Sequence, residues 1–327
     1  MARILNRAGL VPALFFGAMA PAAMAEPRLA LPLDCTPGDT CYVQNYMDRD
    51  PGPGARDYTC AGLSYDGHKG TDFGLPSLAR MHQGVEVYAA APGTVRGTRN
   101  DMIDKIYTPE EDERINGRDC GNGVVIDHGD GWETQYCHMR QGSVVVSPGQ
   151  QVETGTPLGL VGLSGRTQFP HLHISVRRNG DPVDPFTPTA EAGTCGLTGE
   201  PTLWADDLGY QPGAVLSAGF STAVPDYLDI KAGTAAAESL RSDAPAIVLW
   251  GFAFGGREGD RMALTITGPG GTVFDSEPAL DRDQAMFFRA GGKRLRTPLA
   301  PGEYEGRVRL IRHGQEVSSK SVAITVK

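Results

Sequence analysis

Short runs in which apolar and polar residues alternate recur between residues 80 and 178, and they constrain the fold more than any other feature. Glycine and proline separate these runs, in keeping with 43 glycines and 24 prolines among 327 residues. A side-chain period of two is typical of β-strands, and the frequent turn residues leave little room for long helices. The pattern therefore predicts a mainly β chain with a system of antiparallel sheets. The runs are GVEVYAA, GTVRGTR, GVVIDHG, WETQYCHM, SVVVSPG and HLHISVRRNG.

A polar insert interrupts this pattern between residues 100 and 122. It reads NDMIDKIYTPEEDERINGRDCGN and lacks the alternation of its neighbours. Because polar connecting segments run over the protein surface, we expect a loop or a short helix beside the sheet.

A second block of alternating runs begins at APAIVLWGFAFGG and continues through SVAITVK. Several evenly spaced strands within about 85 residues are typical of a small β-sandwich of immunoglobulin-like type. The sequence of this block shows no cluster of catalytic side chains, its only histidine, His313, lies in a turn-like RHGQ, and we expect Trp250 to lie in the sandwich core. We therefore expect residues 241–327 to form a packing or binding module that could meet a protein partner, after a connector with partial structure at residues 191–240.

Residues 1–25 resemble a secretory signal peptide. They comprise a basic start, MARILNR, an apolar core and a small-residue cleavage site that ends at Ala25. A buried helix or a membrane anchor is the alternative, but the apolar run is too short to span a bilayer and contains Pro12. We therefore expect export to the periplasm or the extracellular space, with no membrane span after cleavage.

The charge balance argues against two classes of partner. The formal net charge is −9, and removing Arg3 and Arg7 with the leader leaves 28 basic against 39 acidic side chains, a net charge of −11. An acidic chain without a basic run is a poor ligand for nucleic acid or for anionic lipid.

The cysteines predict disulfides. Their number is even, no CxxC spacing occurs, and the chain is expected to be exported, so disulfides are favoured over a thiolate metal site. A local bridge between Cys35 and Cys41 is the one pairing that we expect; the sequence leaves the others open among 15 possible patterns. The six residues are Cys35, Cys41, Cys60, Cys120, Cys137 and Cys195.

The segment FPHLHIS contains two histidines one residue apart. On a β-strand His171 and His173 face one side, while Leu172 and Ile174 face the other and can pack in a core. Two structural histidines would satisfy the same pattern, so this segment alone does not establish a site.

The segment GHKGTDFG supplies a second cluster. His68 and Asp72 are four residues apart, and the flanking glycines favour a tight loop that enters a strand. Together with one imidazole of the HLH segment they form a set of two histidines and one aspartate, which with an open fourth position is the pattern of catalytic zinc. A glycine-rich turn with a local capping bond remains the alternative for each residue taken singly.

A third cluster is QYCHM. If this segment is a strand, Tyr136 and His138 share one face and Cys137 has the other. This orientation would direct Cys137 towards a disulfide and His138 towards the groove.

The order of these motifs resembles that of the lysostaphin/LytM-type zinc metallopeptidases over residues 66 to 187. The matching segments are HKGTDFG, GVEVYAAAPGTV, GNGVVIDHGDGWETQYCHM, SPGQQVETGTPLGLVG and HLHISVRRNGDPVDP. The resemblance implies antiparallel sheets with an open groove. It also implies that the groove cuts peptide bonds in bacterial cell-wall peptidoglycan.

The resemblance also implies roles for five residues. His68, Asp72 and His173 would bind one zinc ion, whose water attacks the scissile carbonyl. His171 would act as the general base or acid, and His138 would polarise the water or stabilise the oxyanion. Zinc lowers the pKa of bound water to about 7, and a histidine that titrates near ambient pH can move the proton.

Two positions depart from the family pattern. Phe169 stands where a glycine commonly precedes the Pro-His-Leu-His run, and the insert at residues 100–122 with Cys120 is not typical. Both lie where we expect substrate-binding loops, so they concern substrate preference more than metal binding.

Two other functions remain compatible with the sequence: a non-catalytic cell-wall binding protein or amidase activator with the same fold, and a general secreted protease. The complete set of zinc residues favours a peptidoglycan hydrolase over an activator. The predicted organisation is a signal peptide (1–25), a disulfide-containing segment (26–65), the metallopeptidase domain (66–190), a connector (191–240) and a β-sandwich (241–327).

Overall fold

The computed structural model describes residues 26–199 and 201–327, and the predicted signal peptide lies outside the described residues. The predicted mainly β architecture is confirmed, because strands dominate this part of the chain and each of its three α-helices has six residues or fewer. None of the helices in the described ranges has the length and apolar character needed to cross a membrane.

The first region is an eight-stranded, antiparallel sheet. Its strand order is β1-β2-β9-β6-β5-β4-β7, and β10 pairs with β9. Beside it, β3 (Glu86–Tyr88) and β8 (Pro157–Leu160) form a two-stranded sheet. The eight strands are β1 (Tyr42–Asn45), β2 (Thr71–Gly74), β4 (Gly93–Arg99), β5 (Asn122–Gly129), β6 (Trp132–Met139), β7 (Gln151–Val152), β9 (His171–Arg178) and β10 (Asp181–Val183).

Strand alternation separates the two faces of this sheet. In the β2–β9 pair Phe73 lies opposite Leu172, and both are fully buried in the core. Asp72 lies opposite His173, so these two side chains share the other face. The predicted division of HLHIS into a core face and a site face is therefore present.

The N-terminal segment is part of this sheet, because β1 pairs with β2 along its edge. The predicted Cys35–Cys41 bridge is present. Cys60–Cys195 ties this segment to residues after β10, and Cys120–Cys137 ties the polar insert to β6.

The polar insert has the predicted surface character with little regular structure. It contains a 3-10 turn at Pro109–Glu111 and the helix α2 (Asp112–Ile115). The helix α1 (Leu78–Gln83) precedes β3 and contains His82. Ser77 caps α1 by accepting a hydrogen bond from the Arg80 N–H, so a local cap overrides the β pattern here.

The C-terminal region has two sheets, with the orders β11-β13-β16 and β12-β18-β17-β14-β15. Two of its strands lie within residues 191–240, where we expected a connector with partial structure. That segment also holds α3 (Tyr227–Ala232). The strands are β11 (Ala214–Ser221), β12 (Ser239–Leu240), β13 (Ala246–Gly256), β14 (Arg261–Gly268), β15 (Gly271–Ser276), β16 (Gln284–Arg294), β17 (Gly302–Arg312) and β18 (Gln315–Val326).

Strand β13 is buried on both faces. Ile247 and Leu249 pack in the core between the two C-terminal sheets. Trp250 and Phe254 belong instead to the cluster that includes the first sheet, where the rings of Phe254 and Tyr42 lie 4.5 Å apart. Our expectation that Trp250 lies in the sandwich core is therefore wrong, and the two regions share a hydrophobic interface.

Candidate active site

Three side chains converge on one point of the first sheet's open face. His68 Nε2 lies 3.1 Å from Asp72 Oδ1 and 3.1 Å from His173 Nδ1. His173 Nδ1 lies 2.8 Å from Asp72 Oδ1. His68 precedes β2, Asp72 lies within it, and the β2–β9 register places His173 opposite Asp72. We call these three residues the ligand trio.

The geometry of the ligand trio fits a zinc ion. Tetrahedral zinc with bonds of about 2.0–2.1 Å separates its ligand atoms by roughly 3.3 Å. The observed separations of 2.8 to 3.1 Å need an opening of only a few tenths of an ångström. Two imidazole nitrogens and one carboxylate oxygen are the ligand types that zinc takes in hydrolases.

Each member of the ligand trio is oriented by a partner. His68 Nδ1 donates to the Tyr46 carbonyl at 2.7 Å, which leaves Nε2 unprotonated for a metal. The Asn45 amide donates to Asp72 Oδ2 at 2.9 Å, and His173 Nε2 lies 2.9 Å from Ser175 Oγ. None of these three partners was predicted from the sequence. Only Ser175 carried a signal, since it continues the period of two after His173.

Electrostatics favour the metal-binding charge states of Asp72 and His173, whereas at His68 burial is outweighed by the Asp72 carboxylate and the Tyr46 carbonyl, which raise the pKa of the imidazole. Burial opposes ionisation of Asp72, but the imidazoles of His68 and His171 outweigh it and hold the pKa of this carboxyl well below its usual range. Burial lowers the pKa of His173. An ionised aspartate and a neutral imidazole are the forms that bind metal.

His171 lies beside the ligand trio, with Nε2 3.5 Å from Asp72 Oδ1. Its Nδ1 lies 3.0 Å from the Phe169 carbonyl and 3.1 Å from Thr167 Oγ1. Because a carbonyl can only accept, Nδ1 carries the proton and Nε2 presents a lone pair to the site. The Phe169 ring stacks on the His171 ring with centroids 4.2 Å apart. Phe169, which departs from the family pattern, therefore helps to position His171.

His138 reaches the same site by a route that differs from the prediction. Cys137 pairs with His173 and so lies on the site face, while Tyr136 is buried in the core. Our expectation that Tyr136 and His138 share a face is wrong. The backbone of His138 has a left-handed φ of 62°, which breaks the alternation and brings its ring within 4.6 Å of His171.

Contacts on three sides hold His138 in this conformation. Its N–H donates to the Cys120 carbonyl at 2.7 Å, and its carbonyl accepts from the Gly162 N–H at 3.0 Å. Its Nδ1 donates to the Ser164 carbonyl at 2.8 Å. Burial, together with the nearby charges of His171 and His173, sets the pKa of His138 well below its usual value. His138 is therefore neutral, with Nε2 free to accept a hydrogen bond.

A glycine makes the close approach of β2 and β9 possible. A Cβ on Gly70 would lie 2.4 Å from the Ile174 carbonyl oxygen and 2.7 Å from His173 Nε2. Any side chain there would push His173 away from Asp72. The glycines of GHKGTDFG thus serve the site geometry, in addition to the turn that we expected.

Outside the trio and its neighbours, His128 has a structural role. Its Nδ1 donates to the Pro92 carbonyl at 2.7 Å, and its Nε2 lies 2.8 Å from Thr134 Oγ1. Burial lowers the pKa of His128, so the ring is a neutral link within the sheet.

An aspartate and two histidines converge on one point, with two further imidazoles beside them, and these are side-chain types that bind metal in hydrolytic sites. Residues 66–185 match the profile of peptidase family M23. This part of the chain is therefore an M23, LytM-type domain, and the predicted resemblance is confirmed.

Three curated relatives match part of this chain. Peptidoglycan DD-endopeptidase ShyA of Vibrio cholerae is 35% identical over 117 residues, which cover 36% of this chain and 22% of the relative. DD-carboxypeptidase/endopeptidase Mpg of Neisseria meningitidis is 37% identical over 118 residues, which cover 34% and 24%. Murein hydrolase activator EnvC of Escherichia coli is 42% identical over 62 residues, which cover 19% and 14%. The matched segments thus span less than a quarter of each relative.

Proposed function

We propose that this protein is an exported zinc metalloendopeptidase that hydrolyses peptide bonds in bacterial peptidoglycan. The convergence of the ligand trio to within 3.1 Å carries this proposal, since such a set suits one divalent ion per chain. ShyA and Mpg, whose names describe endopeptidases, support the reaction class.

The site residues have separate roles in hydrolysis. A zinc ion held by the ligand trio would act as a Lewis acid and make a bound water more acidic. His171 is oriented by the contact of Nδ1 with the Phe169 carbonyl, so that Nε2 faces the site, takes a proton from the attacking water and later returns it to the leaving amine. His138 is neutral and accepts a hydrogen bond at Nε2, which orients the attacking water.

Export is supported by the leader-like residues 1–25 and by relatives that act on the cell wall. The mature protein is then periplasmic or extracellular. Sequencing the N-terminus of the protein recovered outside the cytoplasm tests this, and we expect it to begin at Glu26. Full-length protein retained in the cytoplasm would contradict it.

A non-catalytic amidase activator is the second candidate, and the match to EnvC favours it. An activator needs the fold but not the metal chemistry, whereas this chain retains the whole ligand trio and both neighbouring histidines. Binding of a protein partner by the C-terminal sandwich stays a prediction under either function.

Digestion of purified peptidoglycan, followed by mass analysis of the released muropeptides, tests the proposal. The mature protein should release fragments with a newly freed amino group, while a His173→Ala variant should release none. Stoichiometric zinc without any fragment release would favour the activator. Faster cleavage of a glycine-rich polypeptide than of muropeptides would favour a general protease.

A further inference from the structure

A depression lies on the site face of the first sheet, on the opposite side of β6 from the ligand trio. Its volume is about 340 Å³. Gln135 lines it and pairs with Ser175, the residue that contacts His173, so the depression is continuous with the site face. Its lining includes Gly97, Arg99, Arg118, Asp119, Cys120 and Gln135.

The depression carries positive charge in an otherwise acidic chain. Arg99 uses one guanidinium nitrogen on the Gly121 carbonyl at 2.9 Å. Arg118 uses two, on the carbonyls of Ile115 and Arg114. Within the described ranges neither arginine forms an ion pair with a carboxylate, and both retain unused N–H groups.

The one acidic residue in the lining is already paired. Asp119 Oδ1 accepts from Arg166 Nε at 2.6 Å. Arg166 also pairs with Asp112 at 2.7 Å, so these three side chains together carry a single negative charge. The two positive charges of Arg99 and Arg118 exceed it.

The depression lies within reach of a peptide bound at the ligand trio. It spans β4, β5 and β6, and β4, which carries Arg99, is three strands from β9 in the sheet order. Neighbouring strands are about 4.8 Å apart, so the separation is roughly 14 Å, and an extended peptide covers that in about four residues.

We propose that this depression is a substrate subsite for a carboxylate-bearing residue about four positions from the cleaved bond. Arg99 and Arg118 supply the hydrogen-bond donors, because planar guanidinium groups match the geometry of a carboxylate. The Cys120–Cys137 disulfide holds the insert wall, which carries Arg118, against β6. The inference rests on the proposed function and deepens it by naming the chemistry of the substrate.

A cross-linked muropeptide dimer, with its carboxyl groups either free or converted to carboxamides, tests the subsite. We expect amidation to lower kcat/KM of the zinc-loaded enzyme by about tenfold to hundredfold, mainly through KM, since charged hydrogen bonds are lost. Arg99→Gln and Arg118→Gln should each lower kcat/KM for the free dimer by a similar factor. For the amidated dimer, the same substitutions should lower kcat/KM little further. Arg241→Gln, which alters an exposed ion pair elsewhere, is the matched control.

Filling the depression gives an independent variant. A Cβ on Gly97 would meet no atom within 4 Å, so Gly97→Leu should occupy the space without disturbing the fold. We expect a raised KM for both dimers and an unchanged melting temperature. An unchanged KM in a folded variant would contradict the proposal.

Binding measurements separate this inference from the proposed function. Calorimetry with the His171→Ala variant, which should hold the dimers without cleaving them, should show tighter binding of the free dimer by the same factor. If the wild-type protein shows no turnover while the preference for the free dimer remains, only the enzyme proposal is rejected. Equal binding of both dimers, or a full preference retained by the arginine variants, would overturn the subsite.

Discussion

Two buried polar clusters, one in each region of the molecule, differ in whether their hydrogen-bond donors and acceptors are matched. In the C-terminal region Arg312 makes a two-point ion pair with Asp260, at 2.9 Å from Nε to Oδ1 and 2.7 Å from Nη2 to Oδ2. Arg312 also donates to the carbonyls of Gly255 and Pro212. Donors and acceptors are matched, so this cluster needs nothing further.

In the ligand trio, by contrast, acceptors face one another without matching donors. Its imidazole nitrogens and its carboxylate oxygen are all lone-pair donors, and they face one another within 3.1 Å. Their outer atoms are occupied by the Tyr46 carbonyl, Asn45 and Ser175. Buried groups that converge without a complement are stabilised by a cation, whereas a self-complementary pair is structural. This difference distinguishes the site from the scaffold.

The largest effect is expected from removing a member of the ligand trio. His173→Ala should abolish zinc binding and reduce hydrolysis to background, at least roughly a thousandfold, because two ligands cannot retain the ion. Metal analysis and muropeptide release measure this. Arg312→Ala should keep its zinc as the matched control. A His173→Ala protein with full zinc content would show that the ligand trio needs a metal no more than the Arg312–Asp260 pair does.

His171→Ala should leave zinc bound and lower turnover by about 10²- to 10⁴-fold, since it removes proton transfer and no ligand. Zinc content and kcat on the same preparation test this separation. Loss of the metal together with the activity would show that His171 is a ligand.

Breaking the matched pair should affect stability instead of chemistry. Arg312→Ala should destabilise the protein by about 3–5 kcal/mol, because it leaves the Asp260 carboxylate buried without its partner. Denaturant unfolding measures this. Replacing both residues, Asp260→Leu with Arg312→Met, should restore much of the stability. A single variant as stable as the wild type would show that the pair is not structural.

Asp184 gives the scaffold a pH dependence. Burial raises the pKa of this carboxyl to about 6, against an ordinary value of 3.8. The folded state therefore binds the extra proton between these values, and the free energy of unfolding should fall by up to about 3 kcal/mol as pH rises from about 4 to about 6. Asp184→Asn should flatten this part of the pH profile, as followed by denaturant unfolding. The same decrease in the variant would assign it to other groups.

The smallest effect is expected at His138. His138→Ala should keep zinc and lower kcat roughly tenfold, because the orientation of the water is lost while ligands and base remain. The amide oxygen introduced by His138→Gln can still accept a hydrogen bond, so this variant should recover part of the rate. Unchanged turnover in the alanine variant would remove His138 from the mechanism.

Only part of the ligand trio has a local signal: a period of two places His171 and His173 on one face, and the motif HKGTDFG places Asp72 in β2 with His68 just before it. The meeting of these two distant segments was implied by the family resemblance. His138 was placed on the correct site for the wrong reason, since its left-handed backbone depends on contacts with Cys120 and Gly162.

Features set by packing between distant segments could not be predicted. Asn45 and Tyr46 reach the site through the pairing of β1 with β2, which no local pattern encodes. The apolar run of β13 indicated burial but not which layer each face meets, so Trp250 was assigned to the wrong core. Strand β11 was assigned to the connector because its short run lies amid glycine and proline.

Metal reconstitution tests the central claim most directly. Zinc is removed from the mature protein with a chelator and returned in steps, while peptidoglycan hydrolysis is followed. We predict no hydrolysis by the stripped protein and a linear recovery that saturates at one zinc per chain, with no recovery in His173→Ala. Full hydrolysis by the stripped protein, or recovery by the variant, would contradict the assignment of the ligand trio as a catalytic metal site.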